Sequence, residues 1–321
     1  MNTFDKISYL EENIKNYYAS EIDINELKLC GSDEELLIYI LNTNPSYWFN
    51  NYVIDLNKFI EFFSELFEKM NIFVSGEHNV YGSTKAYAFG NSIIKSYNDS
   101  IVYAYNKAKI YAYTYSTVEL HDYSFAEAHN NSCVNVHGND CIAEYHEDSK
   151  GTVYRGNVKT FDKSSITMME GCAEANNYSH IQTLYGGYKK IIALDDTTLE
   201  LYGSPFVEAY NNSQIKAYDM SQVICHNNAS VEANNKTIVT LNDKSNCLAR
   251  DTAMVHVCNA NCVKLTDTSV AYNVQSISPK YTLQGTSYLC DLTDTNTQVQ
   301  NSATIKWFQS GKIFSNERNL N

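Results

Sequence analysis

Five glutamates, Glu119, Glu127, Glu200, Glu208 and Glu232, recur through a stretch rich in tyrosine and asparagine. Facing pairs of carboxylates are the usual apparatus for cleaving glycosidic bonds, but they work in a groove walled by long loops. These acids instead alternate with neutral and basic residues at matching positions, Lys216 among them, and the segments between them are short. The spacing predicts a solvated structural face, and no catalytic residue is assigned.

His121, His129, His137 and His226 stand where related segments place Tyr97, Tyr105, Tyr113, Tyr202, Tyr210 and Tyr218. That pattern reads as exchange of one flat ring for another at a stacking position, with a transition-metal or pH-sensitive face as the sharper alternative. His256, Cys258 and Cys262 offer soft ligands, yet their spacing matches no zinc pattern and lacks a fourth donor. Neither a metal nor a cofactor is expected. Cys225 and Cys247 read as small core residues, Cys133 and Cys141 as outward ones on consecutive segments. No phosphate-cradling glycine loop and no nucleophile elbow occurs.

All these residues fall on one octad repeat. A central apolar residue recurs at Ala86, Ile94, Val102, Ile110, Val118, Ala126, Val134 and Ile142, and again from Ile191 through Leu199, Val207 and Ile215 to Val263. Two residues later comes a second apolar group, as in Ala104, Ala209 and Ala217, and two residues earlier a small one, as in Ser100, Ser213 and Ser221. Alternate positions on one side are the signature of a strand. Four residues after the centre stands Asn, Asp or Gly, as in Asn98, Asn106, Asp195, Asn211 and Asp219. These residues tolerate left-handed backbone angles and mark the corner. With only 3 prolines and 13 glycines against 26 tyrosines, asparagine must turn this chain.

No octad can bury its apolar side alone, so successive coils must stack about 4.8 Å apart. The pattern predicts a mainly β fold, a parallel β-helix (β-solenoid) over residues 77–278, with a small α-helical N-terminal domain at 1–76 and a cap or tail at 279–321. Small residues beside the corners and branched ones at mid-strand favour three octads per coil. Stacking each octad on the second one after it instead gives the complementary ladder Glu200, Lys216, Glu232. The reading leans to three sides. The register falters between Lys150 and Lys190, where Tyr185-Gly186-Gly187-Tyr188 inserts two residues and predicts a bulge or loop. Trp307 and Phe308 suggest a C-terminal cap.

The N-terminal segment carries apolar groups at helical spacing, Ile7, Leu10, Ile14 and Tyr17, then Leu56, Phe59, Ile60, Phe63 and Phe67. Ser32 with Glu35 has the form of a capping box, and Asn42 to Pro45 reads as a break. The net charge is −13, and residues 1–76 alone hold 13 acidic against 5 basic side chains. Such acidity argues against direct nucleic-acid binding. Neither a secretory signal nor a membrane span is visible, and nine cysteines without a disulfide layout favour a reducing, cytoplasmic setting.

The run from Phe206 to Val223, with its Ser-x-Val-x-Ala-Tyr-x-Asn unit, resembles repeat arrays of many uncharacterised phage and prophage proteins. The resemblance covers roughly residues 80–270. It implies a parallel β-helix and, for a phage-encoded chain, the host cytoplasm, without implying an activity. The remaining feature is surface. Tyr97, Tyr105, Tyr113, His121, His129, His137, Tyr185, Tyr188, Tyr202, Tyr210 and Tyr218 are therefore the expected binding residues, since tyrosine gives large contact area at small entropic cost. The leading expectation is a non-enzymatic protein that docks on a host protein through a solenoid face or the acidic head and blocks it. Nucleic-acid mimicry is its sharper form. A structural virion or filament component and a glycan-binding or glycan-active β-helix are the alternatives.

Overall fold

The structure, a computed structural model, describes residues 1–17, 22–43, 45–273, 280–291, 297–299, 304–309 and 312–316, with side-chain surroundings up to residue 290. These residues form a parallel β-solenoid of about 13 turns preceded by five helices. The chain divides into two compact units, Met1–Ala126 and Glu127–Asn321.

In the first unit the helices are α1 (Thr3–Asn16), α2 (Ile24–Lys28), α3 (Asp33–Asn42), α4 (Pro45–Asn50) and α5 (Leu56–Phe63). Side chains cap four of them. Asn2 accepts from the Asp5 amide, Asp23 from Asn25, Ser32 from Glu35 and Asp55 from Lys58. The expected capping box is modified, because the Glu35 carboxylate reaches back to the Gly31 amide at 2.6 Å. Leu10, Leu36, Ile40, Trp48, Phe59 and Phe63 are buried together with Tyr87, Phe89 and Tyr105 from the first coils. The helical head and the start of the solenoid thus share one core, which covers inner surface that a terminal coil would otherwise leave wet.

Each coil has two strands, and a strand pairs in parallel with the strand one coil on. In the first unit Ala86 lies beside Val102 and Val102 beside Val118, while Ile94 lies beside Ile110. In the second, Leu199, Ile215, Val231, Cys247 and Val263 form one row, and Val207, Val223, Val239 and Val255 form the opposite one. The regular coil is therefore two octads, and the lean to a three-sided coil is corrected. The charge pattern explains the choice. Glu200, Lys216 and Glu232 become register neighbours, whereas three-octad stacking would set Glu208 over Glu232.

The corners follow from residue type. Asn98, Asn106, Asp122, Asn211, Asn227 and Asp243 all have φ between 56° and 60°. Left-handed tolerance is only half the reason for Asn and Asp. The amides of Asn98, Asn106, Asn211 and Asn227 each donate to the corner side chain one coil on. Asn106 N reaches Asp122 Oδ2 at 3.0 Å, Asn211 N reaches Asn227 Oδ1 at 3.3 Å, and Asn227 N reaches Asp243 Oδ2 at 3.0 Å. Asn227→Val should remove both tolerance and acceptor and cost about 2–3 kcal/mol. Asn227→Gly, which loses only the acceptor, should cost about 1 kcal/mol. Urea unfolding of the two variants checks the split, and equal losses would assign the cost to the ladder alone.

The register slips earlier than the sequence suggests. Ile142 is exposed and Ala143 and Tyr145 face the core, so Cys141, read as outward, is buried. From there coils shorten by one position, with Ile142 beside Asn157 and Gly151 beside Ile166. They then lengthen to two positions more than the regular coil, with Ala173 beside Ile191. The expected loop is present at 184–188, between the strands His180–Thr183 and Lys189–Ala193. Parallel pairing does not stop at residue 278, since Val263 lies beside Tyr281 and Ala271 beside Leu289. Thr304–Gln309 and Lys312–Asn316 pair antiparallel. The side chains of Trp307 and Phe308, named for the cap, lie outside those described.

Candidate functional site: corner stacks and two unlike faces

The predicted ring positions lie at corners, not on a face. Tyr81, Tyr97 and Tyr113 stack at 5.0 and 5.1 Å with rings within 14° of parallel. Phe89, Tyr105 and His121 stack along the other edge of the same unit. In the second unit His129, His146 and Phe161 form one column, His137 pairs with Tyr154, Tyr202 with Tyr218, and Tyr210 with His226. The exchange of His for Tyr is thus geometrically a ring for a ring. Each ring spends its faces on its neighbours and shows mainly an edge, and Tyr105 is fully enclosed. Burial pushes the Tyr105 phenol well above its ordinary pKa. Among the predicted binding tyrosines, Tyr185 and Tyr188, each 65% exposed, are the most open to solvent.

The outward glutamates are partners of these rings. Tyr202 donates to Glu200 at 2.7 Å and Tyr210 to Glu208 at 3.0 Å, while His129 Nε2 lies 2.9 Å from Glu127. The bond to Glu200 pushes Tyr202 up to about 12. Glu232 pairs instead with Arg250 at 3.0 Å. His256 belongs to one sheet, Cys262 to the other and Cys258 to a corner, and no ligand cluster for a metal occurs among the described residues. Cys225 and Cys247 are buried as expected, and burial pushes the Cys225 thiol up to about 12. Lys189, which carries no signal in the sequence, is buried and donates to the Gly187 carbonyl at 3.1 Å; burial pulls its pKa down.

Two strands per coil sort the outward residues of the second unit into two chemically different faces. On the sheet containing Thr198–Leu201 and Gln214–Ala217, the outward columns run Thr198, Gln214, Ser230, Asn246, Cys262 and Glu200, Lys216, Glu232, Leu248, Lys264, polar at most positions. A shallow concavity of about 600 Å³ lies on this polar face. On the opposite sheet one column runs Phe206, Gln222, Ile238, Met254, Val270, Tyr288, and the other Ile192, Glu208, Ile224, Thr240, His256, Tyr272. Ile238, Tyr272 and Tyr288 are 38–40% exposed. Most of this face is apolar, which an octad-by-octad reading cannot reveal because consecutive octads belong to different sheets.

No helix among the described residues is long and apolar enough to cross a membrane. Comparison with protein-family models, curated proteins and solved structures finds no match.

Proposed function

We propose that this chain is a non-enzymatic binding protein that engages and blocks another protein through the apolar outer face from Phe206 to Tyr288. The observation that carries the reading is the concentration of Phe206, Ile224, Ile238, Met254, Val270 and Tyr272 on one sheet while the opposite sheet, Leu248 and Cys262 apart, is polar. A solvated scaffold needs no such division.

The occupant that fits is a protein whose apolar strip is set in a basic surface, as on nucleic-acid-binding proteins. A net charge of −13 steers such a partner inward. It also repels a second copy. The short strands of this face together present roughly 400 Å², about half of what each partner buries in a standard interface. Two flat faces could bury little more, whereas a shaped partner can also grip the corners. The acidic head is the weaker candidate. Asp23 and Asp55 serve as caps, and Glu11, Asp33, Glu34 and Glu61 are in ion pairs.

The test is affinity capture of host protein by the wild type, by Ile224→Glu/Ile238→Glu, and by Gln214→Glu on the polar face. Burying Ile is worth about 1.5–3 kcal/mol each, so the double variant should lose at least about 100-fold in affinity while Gln214→Glu keeps it. A partner held equally by all three chains, or none held at stoichiometry by the wild type, overturns the proposal.

A further inference from the structure

The loop at 184–188 is one residue longer than a regular connection such as 210–213, and it departs from the stacking rule of the edge it belongs to. Tyr202 and Tyr218 lie flat together at 4.9 Å and 7°. Tyr185, next in that column, is 6.4 Å from Tyr202 and tilted by 46°. The Asp219 carboxylate two coils on raises the pKa of its phenol. Its ring lies over Gly203, where a Cβ would be 3.7 Å from Tyr185 Cδ1. One side of the ring thus rests against the solenoid edge while the residue remains 65% exposed.

The ring forms the wall of a cleft of about 530 Å³ that runs along the corners. Asp219, Asn235, Lys236 and Ser204 supply its polar groups and Met220 an apolar rim. The corner residues are locked: Asp219 Oδ2 accepts from Gly203 N at 3.0 Å and Asn235 Oδ1 from Asp219 N at 3.2 Å. A carboxylate, an amide, a hydroxyl and an ammonium beside an aromatic plane that rests on the solenoid edge suit a ring with apolar C–H faces and an equatorial belt of hydroxyls. We propose that the Tyr185 cleft is a binding subsite for a pyranose of a neutral glycan. A nucleobase would also stack on tyrosine, but its phosphates would meet a chain of net charge −13 with one lysine in the cleft. This site is independent of the apolar face, and either proposal stands if the other fails.

The experiment is a glycan array of neutral and acidic oligosaccharides probed with the full chain as wild type, Tyr185→Ala, Tyr185→Phe and Lys236→Ala. The wild type should bind a set of neutral glycans. Tyr185→Ala should weaken that binding by about tenfold or more. Tyr185→Phe, which keeps the plane and loses only the hydroxyl, should lose less. Lys236→Ala changes only an exposed corner, so a several-fold loss there reports on the cleft even if the loop of Tyr185→Ala rearranges. No bound glycan, binding that is equal in Tyr185→Ala and Lys236→Ala to the wild type, or displacement of bound glycan by single-stranded DNA overturns the proposal.

Discussion

Gly151→Ala is expected to destabilise the second unit by about 3 kcal/mol or more, although it adds a single methyl group in a strand. Gly151 holds the inward central position of its octad, where neighbouring octads place Val or Ile. A Cβ there would lie 1.8 Å from Val134 O and 2.8 Å from the Tyr145 ring. The ring occupies the vacated space. Tyr145 stands two residues after the centre of the preceding octad, a place usually held by alanine, and is fully buried with its hydroxyl donating to Val134 O at 2.8 Å. Tyr145→Ala should open a cavity and cost about 3–5 kcal/mol.

Removing the ring relieves only part of the clash. In a Tyr145→Ala chain a Cβ at position 151 would still meet the Val134 carbonyl, a backbone atom that cannot swing aside. Tyr145→Ala/Gly151→Ala should therefore be less stable than Tyr145→Ala alone, while the lost ring contact gives a favourable coupling of about 1 kcal/mol. Chemical denaturation of the four chains of this cycle measures it. Additive losses would mean that the ring adds nothing to the clash.

The second large effect lies in the helical head. Lys6 is 5% exposed, and its ammonium sits between Asp33 Oδ2 at 2.5 Å and the Phe62 carbonyl at 2.6 Å, over the rings of Phe62 and Phe63. Removing one partner of a buried pair strands the other charge, which typically costs about 3–5 kcal/mol. Asp33 is 37% exposed on its side chain, so water screens part of the interaction and Asp33→Ala should cost about 2–3 kcal/mol. Asp33→Ala/Lys6→Met should recover most of that loss.

Burial pushes the Asp33 carboxyl up, but the hydrogen bonds from Lys6 and Thr3 and the lysine charge outweigh it and hold the pKa below its ordinary value. A depressed carboxylate contributes stability above its unfolded pKa of about 3.9 and loses it as pH falls through the folded value. Thermal unfolding of the wild type and of Asp33→Ala should therefore converge below about pH 4. A constant gap from neutral pH down to about pH 3 would show that the carboxylate charge is not what Lys6 requires.

The octad is legible because three alternate apolar positions and a left-handed corner leave their mark in every repeat. The number of octads per coil is not, since the period fixes strand length but not the turn at each corner. One outward ladder, Glu200, Lys216 and Glu232, carries the right answer against the packing argument from small and branched residues. The apolar face stays hidden for the same cause. Phe206, Ile224 and Ile238 stand out only once outward positions are read on alternate octads. The slip at Ile142 escapes the sequence because an apolar residue keeps the expected phase by coincidence while Ala143 and Tyr145 turn inward. The rings are visible as a column but not as corners, because spacing alone cannot tell a mid-strand position from a corner whose rings cover one another.

The corner bonds also give the array a sense of direction. The amide at Asn211 depends on a side chain at Asn227, and the amide at Asn227 on Asp243. Along the other edge Gly203 depends on Asp219, Asp219 on Asn235, and Asn235 on Asp251. Each coil borrows its acceptor from its successor and lends one to its predecessor. A fault at one corner therefore falls on the coil that came before it in the chain, and a coil newly laid down completes the one already in place.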